Sequence, residues 1–193
     1  MNMEQYEYNG LGIPDKEFIR GQIPMTKENI RILSVAKLHL KNDSVVYDIG
    51  AGTGSVTVEM AHMCKKVYAI EQKEEGCELI LKNAEKFQLK NIEVCLGSAP
   101  DCLEGLEPPT HVFIGGSSGK LITIIEEVRK KNPQTRFVVN AITLETITTL
   151  LELSKTNPGD YPMEIMEVSI ANGKMVGNYH MMQGENPIYI ACF

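Results

Sequence analysis

The chain has 193 residues, 43% hydrophobic and 23% charged, with a formal net charge of −6, which suits one domain with a full core and is too short for two comfortable ones. The acidic balance argues against a broad nucleic-acid surface, which needs clustered Lys and Arg, and means that any anionic ligand requires a local basic mouth. No apolar run approaches the ~18 residues of a membrane span, and MNMEQYEYNG at the start has the features of neither a secretory signal nor a transit peptide, so a cytoplasmic location is expected.

In chain order, residues 1–25 are broken by Gly12, Pro14, Gly21 and Pro24 and read as an arm with a short helical turn near Asp15 to Arg20. The arm is short of apolar residues, so it is expected to add little to the core and much to a site. The division is residues 1–26 as an arm contributing to the site and 27–193 as the domain proper. Thr26 is a plausible N-cap for a helix running to about Leu40, with Ile32, Val35, Ala36 and Leu40 toward the core. Val45 to Ile49 is a buried strand that runs straight into Gly50, Gly52 and Gly54. Val56, Met60, Met63 and Cys64 then form a helical stripe.

Strand and helix go on alternating. VYAIE, ending at Glu71, is the second strand, and Cys77, Ile80, Leu81 and Ala84 mark the next helix. Ile92 to Leu96 leads into Gly97, Ser98, Ala99 and Pro100, and His111 to Ile114 leads into Gly115 and Gly116. Small residues at strand ends suit a ligand site as well as turns. Leu121, Ile124, Ile125 and Val128 give a helix, Phe137 to Ala141 a strand, and Leu144, Ile147, Leu150 and Leu151 a further helix stopped by Asn157-Pro158-Gly159. Met166, Val168 and Ile170 alternate with Glu167 and Ser169 as an edge-type strand, residues 171–187 lack a helical stripe, and Ile188 to Phe193 is the last strand. With no crossover helix between them, the final two strands should pair antiparallel. The expected fold is α/β and Rossmann-like: a mostly parallel seven-stranded sheet, an antiparallel C-terminal hairpin and helices on both faces.

The loop after the first strand narrows the cofactor. It lacks the Gly-Lys-Ser/Thr of a phosphate loop, and Ser55 stands where a dinucleotide fingerprint needs its third small residue. Asp48 at the turn would repel a pyrophosphate, by on the order of 4 kcal/mol per charge pair at ~4 Å and an effective dielectric of ~20. S-adenosylmethionine reverses that sign through its sulfonium and ammonium, and Glu71 falls at the roughly 20-residue spacing where a carboxylate can accept ribose hydroxyls. A tight structural turn or a nicotinamide site are the competing readings. Cys64, Cys77, Cys95, Cys102 and Cys192 form no Cys-x-x-Cys pair and the four histidines show no ligand spacing, so the cysteines are expected as reduced packing residues and no metal site is expected.

GIPDKEFIRGQIPMTKENIR at Gly12 to Arg31, DIGAGTGSVTVEMA at Asp48 to Ala61, and the pair FIGGSSG and VVNAITLET together resemble the decarboxylating precorrin methyltransferases of cobalamin biosynthesis, over nearly the whole chain. The arm ending in Pro24-Met25-Thr26-Lys27 is far more specific than the glycine loop. The resemblance implies methyl transfer to carbon 15 of a (cobalt-)precorrin with decarboxylation of the acetate on carbon 12. It also implies S-adenosyl-L-methionine held by Thr26, Asp48, Gly50, Ala51, Gly52, Thr53, Gly54, Glu71, Ser98 and Ala99, with Glu71 on the ribose and Ala99 near the adenine. Thr26 keeps its simpler reading as a helix cap. Gly115-Gly116-Ser117-Ser118-Gly119 departs from the family's Gly-Gly-Ser-Gly-Gly after the fourth strand, which touches the substrate loop.

Arg20, Lys27, Gly116 and Asn140 are candidate contacts to a tetrapyrrole's carboxylates or ring. No catalytic residue is named, because the conjugated ring can itself take up the electrons of decarboxylation. A methyltransferase acting on RNA or protein, and a non-catalytic cofactor-binding subunit, are the alternatives. The expected partner is the tetrapyrrole alone, without nucleic acid or membrane, and the expected assembly is a homo-oligomer, a tetramer being one option.

Overall fold

Val45–Ile49 forms strand β1, and all of it is buried, as a strand covered on both faces must be. Around it the computed structural model, which describes residues 10–156 and 162–193, arranges β2 (Lys66–Glu71), β3 (Ile92–Leu96), β4 (His111–Ile114), β5 (Arg136–Ala141), β6 (Glu164–Val168) and β9 (Ile188–Cys192), with β7 (Ala171–Val176) and β8 (Tyr179–Gly184) set apart. Among the described residues the main sheet has seven strands in the order β3-β2-β1-β4-β5-β9-β6. β1 to β5 pair in parallel, while β9 runs antiparallel to both β5 and β6. The Rossmann-like sheet and its antiparallel final pair are therefore as the alternation of strands and helices implied. The chain moves outward from β1 to β3 and then returns to β4, which opens a crevice beyond the carboxyl ends of β1 and β4.

Side-chain alternation in the strands builds two cores. Phe137, Val139 and Ala141 of β5 pack with Leu121, Ile124, Ile125 and Val128 of α4 (Leu121–Lys131) and Leu150 of α5 (Leu144–Thr156). Val138 points the other way, toward Val35 and Leu38 of α1 (Glu28–Leu38) and Val56, Met60 and Ala61 of α2 (Ser55–Ala61). Ile80 of α3 (Glu74–Lys86) joins Ala51 and Ala69 on that same side. The stripe on α5 is thinner than its sequence suggested. Leu150 alone of its side chains is fully buried, and Leu144 is 77% exposed.

Helix α1 differs from expectation in phase and in cap. Its buried face is Ile30, Arg31, Ser34, Val35 and Leu38, and Ala36 is exposed. Thr26 is not the N-cap: Lys27 holds that position without a side-chain bond, and the free Glu28 N–H is met by Asp15 Oδ1 of the arm at 3.0 Å. A cap was needed because the first N–H groups of a helix have no internal partner, and the fold draws it from a distant residue. His39 ends the helix in the left-handed region at φ 56.

The arm also differs. Ile13 and Phe18 are buried and pack with Val58, so the arm supplies part of the core as well as part of the cavity lining. Residues 171–187, left without an element by the sequence reading, contain the β7/β8 hairpin, every strand residue of which is exposed. With neither face buried, no alternation was imposed on its sequence. The first nine residues of the arm and the Asn157-Pro158-Gly159 stop lie outside the described residues. Among the described residues no helix is long and apolar enough to cross a membrane.

Candidate active site

The parallel strands deliver their carboxyl ends to one crevice, and there a cavity of ≈ 390 Å³ opens, within the range of about 300–1,000 Å³ typical of small-molecule sites. One half is lined by Gly50, Ala51, Gly52 and Thr53 after β1, Glu71 at the end of β2, and Ser98 and Ala99 after β3. The other half is lined by Gly116, Ser117 and Ser118 after β4, Asn140 and Ile142 at β5, and Ile188 at β9. Ile23 to Thr26 of the arm and Lys27 after it add to the lining, with Pro24 O and the Ile23 side chain close to Gly52.

The glycine turn is held from two sides. Gly50 and Ala51 N–H groups both donate to Ile70 O, at 3.0 and 3.1 Å. A Cβ on Gly50 would lie 2.7 Å from Gly116 O and 2.8 Å from Gly116 N, and its φ is +73, so the β1 and β4 loops touch only because this residue has no side chain. Glu71 accepts from Gly52 N–H at 2.8 Å and from Lys73 N–H at 2.9 Å. Two backbone bonds fix its carboxylate at the cavity wall, each oxygen keeping a lone pair for a ligand hydroxyl. Lys27 and Lys73 also line the cavity. A ligand combining hydroxyls, positive charge and a carboxylate fits that donor and acceptor set.

Three sequence candidates stand outside the lining. Gly54 N-caps α2. Arg20 instead donates to Asp15 O at 2.9 Å, and its side chain is 43% exposed. Asp48 lies fully buried beneath the turn, accepting from Thr57 Oγ1 at 2.5 Å while its Oδ1 has no partner. The second-strand side of the turn, and not the end of β1, presents a carboxylate to the cavity, because alternation along β1 sends Asp48 into the α2 side.

Burial pushes the Asp48 carboxyl up from 3.8 to about 7, the Thr57 hydrogen bond opposing and the Glu71 charge adding to the rise. Between about pH 4 and 7 the unfolded chain would have released this proton while the folded one keeps it, so stability falls as pH rises through that window and is level on either side. A shift of that size corresponds to about 4 kcal/mol. Urea unfolding of wild type and Asp48→Asn at pH 4 and pH 8 should show the variant gaining on wild type by up to that amount at the higher pH. A pH-independent difference would remove Asp48 as the titrating group.

Residues that sequence reasoning missed hold the arm. Arg31, fully buried, donates through Nε to Glu59 Oε1 at 3.2 Å, through Nη1 to Asp15 Oδ1 at 2.9 Å and Thr26 O at 2.6 Å, and through Nη2 to Ile13 O. Glu59, equally buried, accepts from Gly12 and Ile13 N–H at 3.2 and 2.9 Å. Asn83 of α3 takes Ile19 N–H at 2.8 Å and donates to Ile19 O at 3.1 Å and Thr53 O at 2.9 Å, joining the arm to the glycine loop. The available signal was a charged residue within the apolar stripe of α1, since Arg31 shares a helix face with Val35 and Leu38. Nothing local marks Glu59 as its partner.

Strand order, the single antiparallel strand beside β5, the glycine turn after β1 and the acid closing β2 define a Rossmann-like methyltransferase. Comparison with known proteins goes further: the family model described as "Precorrin methyltransferase domain" matches residues 17–192. A protein of Sulfurisphaera tokodaii named "Probable cobalt-precorrin-6B C(15)-methyltransferase (decarboxylating)" is 40% identical over 184 residues, covering 93% of this chain and 95% of that one. Among solved structures, a precorrin-6y C5,15-methyltransferase from Geobacter metallireducens superposes with a TM-score of 0.87 at 34% identity, covering 96% of this chain and 98% of that one. A precorrin 8w decarboxylase from Methanobacterium thermoautotrophicum gives 0.87 at 32%, covering 93% and 98%. The chain belongs to the precorrin methyltransferase family.

Proposed function

We propose that this chain uses S-adenosylmethionine to methylate carbon 15 of a (cobalt-)precorrin and release the carboxyl carbon of the carbon-12 acetate as carbon dioxide, a step of cobalamin biosynthesis. The observation that carries the reading is the cavity at the strand ends, lined by a glycine turn with a fixed carboxylate, by the small residues after β4 with Asn140 and Ile142, and by the arm. The relatives' names, a decarboxylating C(15)-methyltransferase, a C5,15-methyltransferase and a precorrin 8w decarboxylase, support the methylation of carbon 15 and the decarboxylation. When bound, the methyl donor supplies an electrophilic methyl group on sulfur.

In this reading Glu71 accepts the ribose hydroxyls, Gly50 to Thr53 pass the donor's chain, Ser98 and Ala99 border the base, and Thr26 closes the wall. Residues 1–26 serve as the arm of a domain formed by 27–193. Ile142, which lines the cavity, is 73% exposed, an apolar edge on which the flat face of a macrocycle can rest. Lys27, whose Nζ is 3.7 Å from Asp15 Oδ2, is placed to meet a peripheral carboxylate. The protein's part is to orient the ring and exclude water, since the ring takes up the electrons released on decarboxylation.

The test is product mass. Protein, S-adenosylmethionine and the ring precursor should give a net gain of one methyl and loss of one carbon dioxide. A methylated product retaining every carboxylate refutes the decarboxylating step, and methylation of RNA or protein in place of the ring favours the alternative substrate. Calorimetry should show that S-adenosylmethionine binds and NAD does not, and that Glu71→Ala weakens binding by roughly 1.5–3 kcal/mol, the scale of a hydrogen bond to a charged group.

We also propose that the chain is a homo-oligomer assembled through the β7/β8 hairpin. An isolated two-stranded hairpin is marginal in water, yet Met175, Tyr179, Met181 and Met182 of this one are 58–77% exposed. A second copy of the same hairpin offers matching apolar side chains and free strand edges. Light scattering should find an oligomer that becomes a monomer when 171–184 is replaced by a short Gly-Ser link. A wild-type monomer at micromolar concentration rules the assembly out.

A further inference from the structure

Ser34 is fully buried on α1 beside the carboxyl end of β5, and its Oγ lies 2.7 Å from Ile30 O and 3.0 Å from Asn140 Oδ1. With the amide oxygen toward Ser34, both neighbours are acceptors, and the hydroxyl has one proton. That proton belongs on Ile30 O, the shorter contact and the habitual target of a helical serine, the carbonyl four residues earlier. The Oγ then has only lone pairs left for Asn140, and two oxygens at 3.0 Å with no proton between them repel. A half-turn of the amide exchanges its nearly isosteric oxygen and nitrogen and makes the contact N–H···O. The amide oxygen is thereby released toward the cavity that Asn140 lines.

We infer that Ser34 is a positioning residue that fixes Asn140 with its oxygen facing the cavity, so that β5 offers the ligand a hydrogen-bond acceptor. The partner must then be a hydrogen-bond donor, and with the ribose hydroxyls assigned to Glu71 that leaves an N–H. A ring carboxylate, to which the sequence reading also assigned Asn140, would face an oxygen and is disfavoured. The identity of the ligands rests on the methyl-transfer reading above, under which two groups have the required chemistry: the ammonium of the methyl donor and, where the ring holds no cobalt, a ring N–H of the tetrapyrrole.

Neutron diffraction from a deuterium-exchanged crystal of the protein alone reads the amide directly. Deuterons on the atom facing Ser34 are expected, and deuterons on the cavity-facing atom overturn the inference. Asn140→Ala should raise either the Kd for S-adenosylmethionine or the KM for the ring about tenfold, the first outcome assigning the contact to the ammonium and the second to the ring N–H. Asn140→Asp keeps an oxygen toward the cavity, and the Ser34 hydroxyl can turn its one proton from Ile30 O to the charged carboxylate, the stronger acceptor, so this variant should stay within about threefold of wild type. Asp as harmful as Ala, or Ala without effect on either constant, overturns the acceptor role. Ser34→Ala should raise the same constant about fivefold in the wild-type background and leave it unchanged beside Asn140→Ala, with Ser34→Thr restoring it. Equal losses in both backgrounds would make Ser34 merely structural. Absence of ring turnover by the intact protein counts against the methyl-transfer reading alone, since the neutron result and the titration with S-adenosylmethionine do not depend on it.

Discussion

Replacing Arg31 with Met is expected to lower stability by about 3–5 kcal/mol, the range for removing one member of a buried ion pair. The side chain is fully buried and its guanidinium serves two carboxylates and two carbonyls at once. Without it, the buried Glu59 carboxyl group is left, among the described residues, with only the Gly12 and Ile13 N–H groups as partners. The carbonyls of Ile13 and Thr26 lose their donor as well, and leaving a buried polar group unsatisfied costs about 1–3 kcal/mol. Urea unfolding measures the loss, and hydrogen exchange locates it: the Gly12 and Ile13 amides should lose protection first. The consequence reaches the cavity, because Thr26 O is one of the groups Arg31 holds. A destabilisation under about 1 kcal/mol would mean that the network is not what fastens the arm. The expectation that the arm adds little to the core is replaced by this one, since Ile13 and Phe18 fill part of it.

Gly50→Ala is expected to lower stability by about 2–5 kcal/mol, combining about 1–2 for a left-handed backbone on a residue with a Cβ and about 1–3 for overpacking. The added carbon would meet three backbone atoms of Gly116, the farthest at 3.0 Å, and backbone has no rotamer with which to yield. Relief must come from parting the β1 and β4 loops, which widens the floor of the cavity and should weaken S-adenosylmethionine at least about tenfold. Gly116→Ala is the control: its Cβ meets nothing within 4 Å, so stability should stay within about 0.5 kcal/mol. Equal losses at the two positions would show that the contact between the loops does not matter.

The alternation of strand and helix was legible because each element buries a face and leaves its period in the chain. β5 is the plain case, with Phe137, Val139 and Ala141 going to one core and Val138 to the other. The glycine turn and Glu71 were legible for a related reason: a strand end that must bend and bond its own backbone allows few residue types. Where packing within the chain imposes nothing, as in the β7/β8 hairpin, whose strand residues are all exposed in the single chain, the sequence carried no period to read.

What the sequence determined by itself is therefore the class of fold, the place of the cavity at the strand ends and, through its motifs, the family. The tertiary structure decided which polar residues are brought together. Arg31 and Glu59 are 28 residues apart and Ser34 and Asn140 are 106 apart, separations over which no local pattern couples residue types. Each pair forms because packing α1 on α2 and on β5 removes their polar groups from water, and a buried polar group must then find its partner wherever the fold places one. Asp48 left the expected site for the same reason, drawn under the turn to Thr57, whereas Arg20 bonds the carbonyl of Asp15 at the surface.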